Sequence, residues 1–353
     1  MIRSPLTLAL LSLALSACSP ADPQQAVSSA LANGVLLPAY SSWAEANSQL
    51  ANSGQAFCAD EQTLSDARQA FLTAQSAWAS LQPLQIGPLA EGNRAWQVQF
   101  WPDKKNLVAR QVTALLKNKP KLTAADLDKS SVVVQGLTAY EYLVYDPAID
   151  LDNAGQKARY CPLLVAIGQH QQALAADVLE RWQAKDGMAA QLQGFPNERY
   201  AEAGEAVAEL LRTQVSALDG LKKKLGTPLG RQSKGQPQPY QAEAWRSKAS
   251  LANLAAGLAS AERIWRGAEQ DGVQALLSSD QAALQQRIDA AYSDTRQRLA
   301  ALQRPLGELL GDETGRGELN ALYNSLNALH RLHETELANS LGIQMGFNAH
   351  DGD

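Results

Sequence analysis

Apolar residues that recur at alternating steps of three and four are the feature that most limits what this chain can fold into. They follow Thr63 and Asp66, which have the spacing of a helix-capping box. The first run comprises Leu64, Ala67, Phe71, Ala74, Trp78 and Leu81. Similar runs extend over residues 161–182 and 207–225. Because no segment alternates strictly between apolar and polar residues, as a half-buried strand does, the sequence predicts an all-α protein.

Pro, Gly and Gln interrupt this helical pattern over residues 227–241, a composition typical of a linker. Helical patterns on both sides predict two packed bundles, an N-terminal unit of residues 27–226 and a C-terminal unit of residues 242–353. A chain of 353 residues is long enough to form two domains of ordinary size.

The first residues have the order of an export signal. Arg3 precedes the short apolar stretch LTLALLSLAL, and LSAC closes it. The string LSAC resembles the lipobox of bacterial lipoproteins, which implies a signal peptide over residues 1–17, lipidation of Cys18 and a tether over residues 18–26. Because Ser19 rather than Asp follows the cysteine, the resemblance implies anchoring on the periplasmic side of the outer membrane. A secretory peptide with an accidental cysteine is the alternative.

Two cysteines remain after Cys18, namely Cys58 and Cys161. An even pair in an oxidising envelope predicts a disulfide, which would stabilise the fold by up to about 4.7 kcal/mol in the chain-entropy model. Two buried free thiols are the alternative. Metal binding by this pair is not expected, because neither cysteine has a Cys or His at ligand spacing.

Charge and motifs exclude several function classes. The formal net charge is -5, so the chain has no basic excess that would attract nucleic acid. The sequence contains no HExxH motif, Walker loop, dinucleotide fingerprint or GxSxG motif. None of the common enzyme classes is therefore supported.

One acid stands in an apolar helical stretch, GLTAYEYLVYD at residues 136–146. Burial of Glu141 costs several kcal/mol unless the carboxylate is paired, hydrogen-bonded or bound to a cation. Thr138 lies three positions earlier and therefore on the same helical face, and Gly136 lets another backbone or a ligand approach closely. We expect a polar site with Glu141 as its acid. An ion pair between Glu141 and an Arg inside the bundle is the alternative.

The same stretch resembles the G-x-H-x-x-E signature of the imelysin-like family, envelope proteins associated with bacterial iron uptake and once assigned to peptidases. Three further segments are similar to that family: FWPDKKN at 100–106, AWRSKASLANL at 244–254 and GFNAHDGD at 346–353. The resemblance implies two helical bundles. It implies a non-catalytic envelope lipoprotein that binds a ligand, metal or partner in iron uptake. A metallopeptidase that uses the GxHxxE-type site is the alternative.

Thr138 occupies the position at which the family has His, while Gly136 and Glu141 match. A hydroxyl is a poor ligand for a transition metal, so this departure favours an oxygen-only cation site or a polar cavity, and it weakens the peptidase prediction. The cofactor stays open, with a divalent cation or iron as the candidate and Glu141 as its ligand. We expect Thr138→His to raise metal affinity.

The resemblance adds residues that could face Glu141. Arg94 and Arg246 are the candidate cations, and Asp103 is a candidate acid, together with the acids of residues 346–353. An Arg would make a closed salt bridge with Glu141, whereas further acids would make a cation site. The sequence leaves both arrangements open.

A Gly-Leu-x-x-x-Glu pattern recurs at residues 257–262, which places Glu262 beside the same pocket if the two units are distant duplicates; chance is the other explanation. His330 and His333 are predicted to pack between helices rather than to bind a metal, and so is His170. His350 is a candidate through the family resemblance alone.

Overall fold

The computed structural model describes residues 22–345. The expected signal peptide, the lipidation site Cys18, the first part of the tether and residues 346–353 with His350 lie outside this part of the chain. Residues 22–345 form α-helices with short 3-10 and π-helical turns and contain no β-strand. The predicted all-α class is confirmed. No helix in the described range is both long enough and apolar enough to cross a membrane.

The helices in the first part of the chain differ widely in length. They are α1 (Pro23–Leu31), α2 (Leu37–Cys58), α3 (Leu64–Leu81), α4 (Arg94–Val98), α5 (Leu107–Asn118), α6 (Ala124–Asp128), α7 (Leu137–Tyr145), α8 (Ala154–Gln183) and α9 (Met188–Gln191). A π-helical turn, Ala32–Leu36, joins the first two helices.

Longer helices dominate the second part. They are α10 (Ala203–Gly226), α11 (Ser250–Arg266), α12 (Ala282–Ala301), α13 (Leu306–Leu309), α14 (Glu313–Arg331) and α15 (Ala338–Ser340). A second π-helical turn, Leu332–Leu337, separates the last two helices.

Helix α3 shows how the sequence pattern becomes structure. The Thr63 hydroxyl accepts the N–H of Asp66 at 3.2 Å, and the Asp66 carboxylate accepts the N–H of Thr63 at 2.8 Å. The predicted capping box therefore starts the helix. The apolar face behind it buries Phe71 and Trp78 in the core, where α3 packs against α2.

Helix α2 lies between α3 and α8. A disulfide joins Cys58, the last residue of α2, to Cys161 in α8, with a Cα–Cα distance of 5.6 Å. The predicted pairing is confirmed. Its closed loop of 103 residues lies in the range where a disulfide contributes about 4.7 kcal/mol in the chain-entropy model.

Two helices of the second part contact the first part directly. Helix α11 packs on α3, and α10 packs on α1 and on the 3-10 turn Gln82–Leu84. Helix α10 also packs on α11 and α14, and α12 packs on α14. Residues 227–241 form turns that end in a 3-10 segment, Pro239–Gln241. The division into two units at this segment stays a prediction.

Candidate functional site

Helix α7 carries the acid that the sequence singles out. It packs against α3, α5 and α8, and its side chains are almost all buried. Glu141 is 2% exposed. A carboxylate at this depth needs hydrogen-bond donors or a cation to offset the loss of hydration.

The backbone of residues 97–98 crosses the start of α7 and explains the glycine there. A Cβ atom on Gly136 would lie 2.4 Å from the carbonyl oxygen of Val98 and 2.7 Å from that of Gln97. Any side chain at position 136 would therefore collide with main-chain atoms. The close approach expected at Gly136 is made by the protein's own backbone.

Thr138 holds the next part of that same segment. Its hydroxyl donates to the carbonyl oxygen of Phe100 at 2.8 Å. Phe100 begins the FWPDKKN string, so the residue at the family's His position binds a second family-like segment to α7. A short neutral donor suits this role, because it satisfies a backbone acceptor and leaves no buried charge.

The group that faces Glu141 is Ser247. The Oε1 atom of Glu141 accepts the backbone N–H of Ser247 at 2.8 Å and its hydroxyl at 2.7 Å. Ser247 belongs to the AWRSKASLANL segment, immediately before α11. Two donors to one carboxylate oxygen offset part of the cost of burial, without a cation in direct contact.

A tight turn presents Ser247 to Glu141. Ala244 and Lys248 have positive φ angles of 50° and 59°, a region that residues with a Cβ atom rarely occupy. The N–H of Ala249 donates to the carbonyl oxygen of Ala244 at 3.0 Å and closes the turn. Strained backbone of this kind persists where surrounding contacts hold it, and it is frequent at functional sites.

Burial dominates the electrostatics of Glu141 and raises its pKa above the ordinary value of 4.5. The two hydrogen bonds from Ser247 and the positive charge of Arg246 oppose this rise in pKa. The negative charge of Glu243 adds to it, which places a second carboxylate near the first. The site therefore favours a protonated acid more strongly than water does.

Arg246 lies beside the site and donates its hydrogen bonds to Asp146 and Asn106 rather than to Glu141. Its Nε atom donates to the Asp146 carboxylate at 2.7 Å. The guanidinium carbon lies 4.3 Å from the ring centre of Trp245 and 5.2 Å from that of Tyr142. Arg246 thus acts on Glu141 through its charge, while its planar group is held by a partner acid and two aromatic rings.

A chain of buried polar groups continues from Glu243. The ammonium of Lys224 donates to Glu243 Oε1 at 2.5 Å and also to the side-chain oxygen of Gln82. The amide of Gln82 donates to Gln99 at 3.1 Å, and the indole N–H of Trp78 donates to the same Gln99 oxygen at 2.8 Å. These bonds link α3 and α10 to the residues on both sides of the Glu141 site.

This chain holds one of the few charges deep in the fold. Burial lowers the pKa of Lys224, and the charge of Glu243 opposes that change. Glu243 is 2% exposed, and its second oxygen, Oε2, is buried without a partner among residues 22–345. An unpartnered carboxylate oxygen at this depth is costly and marks a place that can accept a further donor.

Two of the sequence candidates, Arg94 and Asp103, make their hydrogen bonds with residues other than Glu141. Arg94 donates to the carbonyl oxygen of Pro88 at 2.7 Å, and Asp103 accepts the N–H groups of Leu107 and Val108 at the start of α5. Neither side chain donates to or accepts from Glu141 among residues 22–345.

Glu262 belongs to another part of α11. It forms ion pairs with Arg266 and Arg296, both at 2.9 Å. Twelve residues separate Glu262 from Ser250 at the start of the helix, a distance of about 18 Å at 1.5 Å per residue. The structure therefore does not bring Glu141 and Glu262 to a shared pocket.

The histidines take separate partners. His333 is fully buried, with Nδ1 at 3.0 Å from the carbonyl oxygen of Leu329 and Nε2 at 3.3 Å from the Tyr292 hydroxyl. Burial lowers the pKa of His333 to about 4. His330 faces Lys222, and His170 contacts Asp128 at 2.9 Å. None of these histidines belongs to a group of three potential metal ligands among residues 22–345.

The residues present at Glu141 do not fit a transition-metal ion. Within residues 22–345 no three His, Cys, Asp or Glu side chains are grouped closely enough to hold one. Thr138 and Ser247 direct hydrogen-bond donors at their neighbours, whereas a metal requires lone pairs directed at itself. Structural and catalytic zinc sites need three or four protein ligands.

Aromatic residues surround the segments that meet at Glu141. Trp96 and Tyr240 are the large apolar side chains most exposed in the described chain, at 48% and 69%. The Trp96 ring centre lies 6.0 Å from that of Phe100, and the Tyr240 ring centre lies 4.9 Å from that of Trp245. The indole of Trp101 donates to the backbone of residue 241 at 3.0 Å. This aromatic rim (Trp96, Phe100, Trp101, Tyr240 and Trp245) offers apolar surface next to a buried acid.

Sequence reasoning missed several residues of the site. Ser247 stands inside the family-like AWRSKASLANL segment, and Glu243 stands immediately before it, so the segment itself was the available signal. Lys224 has the position of an ordinary lysine at a helix C-terminus. Nothing in the local sequence distinguishes its burial.

Comparison with known proteins identifies the family. Residues 36–333 match the family model described as "Peptidase_M75: Imelysin", which covers well over half of the chain. The chain belongs to the imelysin family. The resemblance based on GLTAYE and the three accompanying segments is confirmed. Among curated proteins, none matches this imelysin-family chain significantly.

Solved structures agree in fold. An imelysin-like protein from Psychrobacter arcticum 273-4 superposes with a TM-score of 0.79 at 23% identity, over 93% of this chain and 98% of its own. A putative iron-regulated protein A precursor from Parabacteroides distasonis ATCC 8503 gives a TM-score of 0.73 at 16% identity, over 93% and 96%. At these identities the likeness establishes the imelysin fold alone.

Proposed function

We propose that this imelysin-family protein is a non-catalytic envelope lipoprotein that binds a ligand of an iron-uptake system at the Glu141–Ser247 site. Support for the iron-related role comes from family membership and from the fold shared with a protein described as a putative iron-regulated protein A precursor. Support for the anchor comes from LSAC with Cys18, which would fix the protein to the periplasmic side of the outer membrane.

The observation that carries the binding proposal is the arrangement around Glu141. One carboxylate oxygen, Oε1, is held by Ser247, while Oε2 has no hydrogen-bond partner among residues 22–345. A ligand N–H or O–H group at Oε2 would displace no hydrogen bond made by residues 22–345. The aromatic rim would cover an apolar or aromatic part of the same ligand.

The side chains available as metal ligands at this site argue against the alternative function, a zinc peptidase. Hydrolysis at a zinc ion requires about three protein ligands and an activated water. At this site a hydroxyl replaces the family's imidazole, and its hydrogen is directed at the Phe100 carbonyl oxygen. In the described part of the chain, no group of three His, Cys, Asp or Glu side chains could hold a zinc ion at this site.

Metal analysis and proteolysis separate the two functions. We expect purified native protein to contain less than stoichiometric zinc and to leave unfolded protein substrates intact. Stoichiometric zinc, together with peptide cleavage that Glu141→Gln abolishes, would establish the peptidase instead. Glu61→Gln is the matched control, because Glu61 is exposed near the end of α2.

Iron-limited growth tests the biological role. Transcript level is expected to rise when the expressing cells are short of iron. A deletion strain should grow more slowly under iron limitation, and the wild-type gene should restore growth while Glu141→Gln should not. Equal growth of all strains with unchanged transcript would rule out the iron-uptake role. Mass spectrometry of membrane fractions should find lipid on Cys18, and an unmodified Cys18 would remove the anchor.

A further inference from the structure

A cleft of about 700 Å³ lies between α2, α3 and α11 and shares no lining residue with the Glu141 site. Hydroxyl groups are spread over its three walls, and a single guanidinium stands among them. The hydroxyls belong to Ser42, Thr73, Ser76, Ser80 and Ser260, and the guanidinium belongs to Arg263. Because a hydroxyl both donates and accepts, the cleft offers hydrogen bonds of either kind to a polar ligand.

The charge of the cleft has one sign. Arg263 is the one charged residue among the described residues that line it, although the whole chain has a formal net charge of -5. A guanidinium has five N–H donors, and one of them is used on the carbonyl oxygen of Gly34 at 2.7 Å. A guanidinium with donors to spare, and with no acid beside it in the lining, favours a carboxylate or a phosphate as its partner.

The π-helical turn Ala32–Leu36 holds Arg263 in this position, because it contains Gly34. A Cβ atom added to Gly34 would lie 2.9 Å from that of Ala268, two residues after the end of α11. Glycine therefore lets the turn approach the end of the helix closely. Turns of this kind are frequent at functional sites. The guanidinium is held here by a neutral backbone acceptor, which leaves its positive charge uncompensated.

Ser260 adds a buried group to the same wall. It lies three positions before Arg263, on the same face of α11, and it lines the cleft while only 6% exposed. Its hydroxyl makes no hydrogen bond with the described part of the chain, residues 22–345. A polar group at this depth without a partner is costly, so a ligand oxygen bound to Ser260 would satisfy it.

We propose that this cleft binds a small hydroxylated anion, a compound with several hydroxyl groups and one carboxylate or phosphate group. The acid group binds the Arg263 guanidinium, and hydroxyl groups of the ligand bind Ser260 and the serines of α2 and α3. The described lining contains neither an acid for a cationic ligand nor an aromatic ring on which a flat aromatic ligand would stack. This inference depends neither on the iron-related function nor on the Glu141 site.

Calorimetric titration of the full-length protein with three probes tests the ligand class. Gluconate carries a carboxylate, glucose 6-phosphate carries a phosphate, and glucose has similar hydroxyl groups without a charge. We expect at least one of the two anions to bind at least about tenfold more tightly than glucose, and the tighter anion identifies the preferred acid group. If neither anion binds, or if glucose binds as tightly as both, the proposal is overturned.

Arg263→Gln tests the assigned contact with the acid group. It should weaken binding of the preferred anion by about tenfold or more, the effect of losing a hydrogen bond to a charged group. Arg110→Gln is the matched control, because Arg110 is exposed on α5 and does not line the cleft. An equal loss of affinity in the two variants would assign the effect to net charge and would overturn the role of Arg263.

A bulky side chain in the cleft tests the location. Ala259 is exposed on α11 and lines the cleft, whereas Ala252, two turns earlier on the same helix, is exposed outside the lining. Ala259→Trp should abolish binding of the preferred anion, and Ala252→Trp should bind it as the wild type does. Both positions are exposed, so thermal unfolding should give similar midpoints for both variants. Undiminished binding by Ala259→Trp would place the anion elsewhere and would overturn the proposal.

Discussion

Ser247 donates both its backbone N–H and its hydroxyl to one oxygen of Glu141, although 106 positions separate the two residues in the sequence. The contact joins α7 in the first part of the chain to the turn before α11 in the second. This contact explains why an apolar helix carries an acid, because the carboxylate binds two segments that are distant in the sequence to each other. Ser247, rather than either candidate arginine, supplies the hydrogen bonds.

Removal of the Ser247 hydroxyl should weaken the contact between Glu141 and the turn before α11. Ser247→Ala deletes one hydrogen bond to a buried carboxylate, and bonds to charged groups contribute about 1.5–3 kcal/mol. We expect the free energy of unfolding to fall by about that amount in urea denaturation. Ser65→Ala, at an exposed position of α3, should change it by less than about 0.5 kcal/mol. Equal effects of the two variants would contradict the contact.

Glu141 should make stability depend on pH in an unusual direction. Its folded pKa is raised, so between the ordinary value of 4.5 and the folded pKa the folded state binds more protons than the unfolded state. The contribution of Glu141 to stability is therefore present below pH 4.5 and is lost as pH rises through the folded pKa.

Glu141→Gln isolates this dependence, because the amide oxygen can still accept the bonds from Ser247 and does not titrate. The difference in unfolding free energy between wild type and variant should shift in favour of Glu141→Gln as pH rises above 4.5. Denaturation at a series of pH values measures it. A shift toward the wild type would mean a lowered folded pKa, as a direct Glu–Arg ion pair produces.

The Lys224–Glu243 pair should be more costly to break than to replace. Lys224→Met leaves Glu243 buried with Gln82 as its remaining donor, and removal of one partner from a buried pair typically costs about 3–5 kcal/mol. Lys224→Met with Glu243→Gln removes both charges and should be less destabilised than the single variant. Chemical denaturation of both proteins gives the comparison, and a double variant that is the less stable of the two would refute it.

The helical architecture could be predicted from the sequence because each helix encodes its own apolar face. The run from Leu64 to Leu81, with its Thr63 cap, needs no information from distant residues. The disulfide could be predicted for a different reason, since only Cys58 and Cys161 remained to pair after Cys18. Both predictions depend on local patterns or simple counting.

The site could be predicted only in part from the sequence, because its contacts join segments that are far apart in the chain. Glu141 is conspicuous as an acid among apolar neighbours, but its partner Ser247 is an ordinary residue in a polar turn. Arg246 was selected for its charge, and its guanidinium is hydrogen-bonded to Asp146 rather than to Glu141. Whether Arg246 or Ser247 contacts Glu141 depends on the turn geometry at Ala244 and Lys248, which residue types alone do not encode.

The threonine at the family's histidine position leads to the last prediction. Thr138→His would place an imidazole one helical turn from Glu141, whose Oε2 has no partner among residues 22–345. Two ligands chelate weakly compared with the three or four of natural zinc sites, so we expect zinc affinity to rise by about tenfold over the wild type, and not to structural-site levels. Calorimetric titration with zinc and ferrous iron measures the gain.

Thr138→His combined with Glu141→Gln should lose it, which would assign the gain to the pair rather than to the new imidazole alone. Tight binding by the wild type would instead place the metal ligands elsewhere, and no gain in Thr138→His would mean that the contacts with Phe100 and Ser247 hold α7 too closely to admit an ion.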